Sequence, residues 1–219
     1  PQKFDFLTFE ESKLLLSHAE GVWYDMILLA LRSGLRFGEL RALDWCNINW
    51  NNNILSVRRS LGRFGLGSPK SNKERYIPLT REVCHLLGRR RQEKGFIFID
   101  EKGQPFEENK LRRTMRKTCR RAGLREISWH ILRHTFASHL AMAGASMRAI
   151  QELMGHADIT TTLRYAHLAP SALNEAISLL EPKSLPENLG QPAVNRCSNL
   201  TKIDEFSRYQ NSQILANKK

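Results

Sequence analysis

The stretch Asn47-Ile-Asn-Trp-Asn-Asn-Asn-Ile-Leu-Ser-Val-Arg-Arg59 interrupts a chain whose apolar residues otherwise recur at helical spacing. Ile48, Ile54, Leu55 and Val57 flank Asn51-Asn52-Asn53. Asn tolerates left-handed backbone and hydrogen-bonds its own chain, so the stretch reads as a hairpin with an Asn-rich turn. Glu74–Leu79 supplies a third strand, after a Gly/Ser/Pro loop at Gly62–Ser68. Upstream, Thr8-Phe-Glu-Glu11 has capping-box spacing and opens a short helix. Val22–Ser33 is an apolar-rich helix stopped by Gly34, and Gly38–Leu43 is a further short one. Downstream the pattern turns helical, with segments near 80–92, 107–122, 130–143, 147–154, 159–166 and 171–180. Gly95, Gly103, Gly123, Gly144, Gly155 and Pro170 punctuate them. The expected fold class is therefore mainly α with a small three-stranded antiparallel β-sheet (α+β). One domain over residues 1–180 is expected. Residues 181–219, rich in Asn, Gln, Ser and Pro, read as a flexible tail with at most a weak helix near Lys202–Arg208.

Charge narrows the function classes. The chain has 219 residues, 34 Lys+Arg against 22 Asp+Glu, and a formal net charge of +12. Residues 32–133 alone carry 24 basic and 10 acidic side chains, so one internal block holds the excess. Lys110–Arg125 has eight basic residues and no acidic one. A polyanion is the implied partner, because each cation that neutralises a phosphate releases a condensed counterion. The longest apolar run, Met26–Leu31, is far short of the ~18 residues a membrane span needs, and no signal peptide is read. Cys46, Cys84, Cys119 and Cys197 form no CxxC pair, which removes zinc-ribbon, iron–sulfur and thioredoxin readings. A reducing cytoplasm is the expected compartment.

Five motifs carry candidate chemistry. His130-Ile-Leu-Arg133-His134 places three basic groups on one helix face, where Arg offers a two-pronged donor and His a donor or proton carrier suited to a phosphate. Its HxxxH spacing lacks the Glu of a zincin, since Ile131 stands there, so the residues alone leave phosphate binding or core histidines. Ser33-Gly-Leu-Arg36-Phe-Gly-Glu39-Leu sets an Arg just past a helix stop, where a surface pair with Glu39 is the plainer explanation. Gly62-Arg-Phe-Gly-Leu-Gly67-Ser-Pro-Lys70-Ser71 is not a P-loop, because Ser68-Pro69 separate the glycine from Lys70 and strands follow. Lys70 and Lys73 remain candidates to reach a phosphate. Gly155-His156 and Arg164-Tyr165-Ala-His167 close the helical region; a phenol of pKa ~10 becomes a nucleophile only beside cations or a base.

In this order, Arg36 in GLRxGEL, Lys70 ahead of Asn-Lys-Glu-Arg-Tyr-Ile-Pro-Leu, HxLRH, Gly-His and a Tyr nine residues later resemble the catalytic domain of tyrosine recombinases, the lambda-integrase and Xer-type family. The likeness runs from about Phe6 to Leu180. It implies a site-specific recombinase in which Tyr165 attacks a DNA phosphodiester and forms a 3′-phosphotyrosyl bond. By the same resemblance Arg36 and Arg133 clamp the non-bridging oxygens, and His130 accepts the tyrosine proton or donates to the phosphate. Lys70 protonates the leaving 5′ oxygen, His156 supports the scissile phosphate, and Glu39 braces the site. Arg112, Arg113, Arg116, Lys117 and Lys73 are expected to touch the DNA backbone. The resemblance implies double-stranded DNA as partner, a tetramer on two DNA sites, and neither cofactor nor metal. A type IB topoisomerase and a catalytically silent DNA-binding module of the same fold are the alternatives; a mobile-element integrase is favoured over a dimer resolvase. Two departures stand out. Nothing here corresponds to the family's N-terminal core-binding domain, so a domain excised from a longer protein is expected. The tail is also longer than the helix that members exchange, for which 171–180 is the candidate.

Overall fold

Helix α2 (Val22–Ser33) lies at the centre because its residues Met26–Leu31 are all buried, which a helix achieves only with neighbours on every side. The computed structural model describes residues 5–68, 74–170 and 177. The chain divides into two units, Pro1–Ser178 and Leu179–Lys219, and every described residue lies in the first. The tail 181–219, its helix at 202–208 and all but one residue of the 171–180 helix fall outside the described residues.

Helix α1 (Phe9–Ser17) begins with the expected capping box: Thr8 Oγ1 accepts the Glu11 N–H at 3.1 Å and Glu11 Oε2 accepts the Thr8 N–H at 2.8 Å. Just before it, the Leu7 N–H donates to Thr135 Oγ1 at 2.9 Å, pinning the N-terminal segment to helix α6 (Trp129–Met142). Helix α6 packs along α2. Gly34 ends α2 in the left-handed region at φ 61°, where an added Cβ would sit 2.3 Å from the Phe136 ring. The chain then turns directly into the short helix α3 (Phe37–Arg41).

The Asn-rich stretch is a hairpin. Strands β1 (Ile48–Asn49) and β2 (Ile54–Val57) pair antiparallel with Ile48 opposite Leu55, and Asn53 takes φ 53° in the turn. The segment Gly62–Ser68 differs from the loop expected there. Strands β3 (Ser60–Gly62) and β4 (Gly65–Gly67) form a second, two-stranded hairpin across Arg63-Phe64. Its glycines carry no side chains to alternate between faces, so the pattern that identifies a strand is missing. Strand β5 (Arg75–Pro78) joins β2 and completes the three-stranded sheet β1-β2-β5.

Helix α4 (Arg81–Gly88) is capped by Thr80 and stops short of residue 92. Arg90 leaves it to pair with Asp25 at 2.6 Å. Helix α5 (Glu108–Arg121) buries Leu111, Met115, Thr118 and Cys119 in one stripe, so its cations take the outer face. Helix α7 (Met147–Met154) is capped by Ser146 and ends at Gly155, φ 63°. The helix expected at 159–166 is a single turn, α8 (Thr160–Leu163), followed by a 3-10 turn at Ala166–Leu168. Ile159-Thr160-Thr161-Thr162 is β-branched throughout, which disfavours longer helix. No helix among the described residues is long and apolar enough to cross a membrane.

Candidate active site

Glu39 organises the first part of the site from the N-terminal turn of α3. Arg36, at the N-cap, donates its backbone N–H to Glu39 Oε2 at 2.8 Å and its Nη1 to Oε1 at 2.9 Å. Arg75 enters from β5 and donates to the same two oxygens, Nη1 to Oε1 at 2.9 Å and Nη2 to Oε2 at 2.6 Å. The plain surface pair between Arg36 and Glu39 is thus corrected: Glu39 is 1% exposed and holds two guanidinium groups. Burial acts to raise its pKa, but the hydrogen bonds and charges of Arg75 and Arg36 outweigh it and bring the carboxyl down to about 2.

The end of α7 supplies the second part. Arg36 Nη2 donates to Gly155 O at 3.1 Å, and Arg75 Nε to Leu153 O at 3.0 Å. A Cβ on Gly155 would lie 2.8 Å from Arg75 Cδ, so glycine is needed for close approach as well as for its φ. Arg133, buried on α6, donates Nη2 to Met154 O at 2.6 Å and Nη1 to Gly34 O. Its guanidinium therefore bridges the C-terminal carbonyls of α2 and α7, the negative ends of both helix dipoles. Burial and the nearby Arg36 charge pull its pKa down to about 9, which leaves it cationic at neutral pH.

His156 follows Gly155 and is half-buried, with Nδ1 2.9 Å from Thr162 Oγ1. Burial, then the charges of Arg133, Arg36 and Arg75, lowers its pKa to about 4, so the ring is neutral at pH 7. Tyr165, 1% exposed, packs with Phe136, Ala137, Ile150 and Met154. Its hydroxyl is 2.8 Å from His134 Nδ1. Burial raises the phenol pKa, against the opposing pull of Arg133 and Arg164. His134 is lowered to about 4 by burial and by Arg164, His130 and Arg133.

Of the site residues read from sequence, Arg36, Glu39, Arg133, His156 and Tyr165 come together. His130 is exposed one turn before His134, its ring centroid 6.4 Å from the latter's, at a cavity of about 480 Å³ shared with Phe37, Met115 and Trp129. Lys70 and Lys73 lie outside the described residues. Arg112, Arg113, Arg116 and Lys117 are exposed on α5, with Arg112 paired to Glu108 at 2.5 Å and Arg116 to Glu126 at 3.8 Å. Sequence reasoning missed two members. Arg75 and Ile77 point inward on β5 while Tyr76 and Pro78 point outward, and a charge in an inward register was the available signal. The partnership of His134 with Tyr165 spans 31 positions and left no local trace.

Residues 5–172 match the phage integrase family. Tyrosine recombinase XerC of Thermodesulfovibrio yellowstonii is 32% identical over 82% of this chain and 63% of its own length. The chain spans about half the length of several other curated relatives. Among solved structures, the Tn1549 transposon integrase in complex with a circular intermediate DNA superposes with a TM-score of 0.69 at 25% identity, covering 83% of this chain and 66% of that one. The catalytic domain of bacteriophage HP1 integrase, 24% identical, shares the fold at a TM-score of 0.64 over 81% of this chain and 96% of its own. With the family match covering residues 5–172, most of its length, the chain belongs to the phage integrase family.

Proposed function

We propose that this chain is the catalytic domain of a site-specific DNA recombinase that cleaves and rejoins strands through a 3′-phosphotyrosyl bond on Tyr165. The observation that carries this reading is the convergence of two guanidinium groups, Arg36 and Arg133, on adjacent carbonyls of one helix end, with Tyr165 inside the field of Arg133. Each guanidinium has five N–H donors, so those not held by carbonyls or Glu39 are left to face a phosphate. In this reading Tyr165 Oη attacks phosphorus, the bond to the 5′ oxygen breaks, and Lys70 gives that oxygen its proton. Arg36 and Arg133 hold the non-bridging oxygens where charge builds up, a contribution of about 10²–10³ in rate for each donor. His130 and His156 donate to the same phosphate, and Glu39 keeps Arg36 in place. The phosphotyrosyl bond conserves the energy of the diester, so rejoining draws on no ATP.

Its substrate would be double-stranded DNA, gripped through the backbone by Arg112, Arg113, Arg116, Lys117 and Lys73, with four copies acting on two sites. The cytoplasm, where that DNA lies, is the proposed compartment. The names of the relatives and the DNA in the Tn1549 complex support this reading. A library of nicked suicide duplexes with a randomised centre tests it. Strands covalently captured by the chain are recovered and sequenced, and Tyr165→Phe serves as control. Adducts on a defined sequence that disappear in Tyr165→Phe are expected. Adducts that persist in the variant would move the nucleophile elsewhere.

A further inference from the structure

Attack by a neutral phenol requires somewhere for its proton to go. We propose that His134, rather than His130, takes that proton, acting as the catalytic base on the Tyr165 hydroxyl. The inference rests on Tyr165 being the nucleophile. Its observation is geometric: His134 Nδ1 lies 2.8 Å from Tyr165 Oη, within hydrogen-bond reach of the proton to be moved. His130 is exposed on the preceding turn of α6, beside the cavity lined by Phe37 and Trp129.

The surroundings hold the imidazole in its accepting form but make it a weak base, so the transfer relies on the 2.8 Å contact and on the phosphate's negative charge to stabilise the imidazolium. A buried phenol with a raised pKa ionises too rarely at pH 7 to attack unaided, so the proton must leave as the bond to phosphorus forms. The groups that face His134 are Asp5 from the N-terminal segment, His130 and Arg133 from α6, His156 from the loop after α7, and Arg164 and Tyr165 after α8. Cations dominate this set and, with burial, keep the imidazole neutral, which is the form that accepts. With its own proton on Nε2, Nδ1 receives the Tyr165 hydrogen bond. As Oη bonds to phosphorus the O–H bond breaks and its proton passes to Nδ1, giving imidazolium. The 5′ oxygen departs with a proton from the general acid. Religation runs the same transfers backwards, and His134 returns the proton to Oη, so no other reactant is consumed.

The test measures single-turnover cleavage from pH 6 to 9 on a duplex captured from the randomised library. It compares wild type, His134→Asn, His130→Asn and Tyr165→Phe. Asn places an amide oxygen near the Nδ1 position and keeps the hydrogen bond without accepting a proton; His134→Gln is the second variant should Asn unfold the site, judged by thermal melts. The expected result is a loss of about 10²-fold at pH 7 for His134→Asn. That loss shrinks about tenfold per pH unit as hydroxide makes the phenolate directly, while wild type stays flat. A pH-independent loss, or none, overturns the proposal, since a merely positioning side chain does not change the slope. The slope appearing in His130→Asn instead assigns the proton to His130. Adducts surviving in Tyr165→Phe overturn the nucleophile, and this inference with it, in a lane read separately from the pH series.

Discussion

The carboxylate of Glu39 stands between Arg36 and Arg75 with its side chain fully shielded from water. Burying three charges is costly, and only their mutual geometry offsets it. Because the folded pKa of Glu39 falls from 4.5 to about 2, the cluster stabilises the fold above the unfolded pKa, and that stability is lost as pH falls from about 4.5 towards 2. The shift corresponds to about 3 kcal/mol. Urea unfolding between pH 7 and pH 2.5 should show this steep acid limb, and Glu39→Gln should flatten it. An unchanged limb in the variant would locate the acid sensitivity in other carboxylates. Arg75→Met leaves the carboxylate with one cation and should cost roughly 3 kcal/mol at pH 7. Because Arg75 touches Glu39 and Leu153 O and its charge acts on Arg133 and His156, its effect on cleavage should come through Arg36, Arg133 and His156.

At the scale of elements, the site is a meeting of helix ends. Arg133 ties the C-terminus of α2 to that of α7, and both ends are left-handed glycines. These boundaries were legible in part: Gly34 and Gly155 stand where helical periodicity lapses and Thr8 marks a start by its capping-box spacing, whereas the caps at Thr80 and Ser146 show only in the fold. The hairpin β3–β4 was not, since Gly62, Gly65 and Gly67 give strands no sidedness to read. Nor was the single turn α8, where a periodic pattern overrode the poor helix propensity of three consecutive threonines. Gly123 and Gly155 separate backbone strain from packing. Both have φ near +63°, at 64° and 63°, but a Cβ meets nothing within 4 Å at Gly123 and Arg75 at 2.8 Å at Gly155. Gly123→Ala should cost about 1–2 kcal/mol, the left-handed penalty alone. Gly155→Ala should cost at least ~2 kcal/mol more and also slow cleavage, because Arg75 must yield. Equal losses in thermal melts would show that Arg75 relaxes without consequence.

Across the whole molecule, the basic stretch Lys110–Arg125 divides into cations used internally and cations turned outward, a division that composition cannot reveal. Arg125 reaches back to Asp5 and Glu11, both at 2.5 Å, and Arg121 to Glu20 at 3.1 Å, so the acidic N-terminal segment neutralises this end. Arg112 and Arg116 are paired within their own neighbourhood, and Lys110 lies over the Phe106 ring. Arg113, Lys117 and Arg120 have no carboxylate within ion-pair distance among the described residues and repeat at helical spacing on the exposed face of α5. Sequence therefore showed that the chain is basic, whereas only the folded arrangement shows which charges a duplex could use without first breaking an ion pair. A salt titration of duplex binding distinguishes the two groups. Arg113→Ala with Lys117→Ala should reduce the slope of log K against log salt by about 0.9 for each phosphate no longer neutralised, on every duplex alike. Arg121→Ala with Arg125→Ala should leave that slope nearly unchanged and instead lower the melting temperature, since those side chains hold the N-terminal segment to the domain. Equal slopes for the two double variants would mean that α5 does not face the DNA.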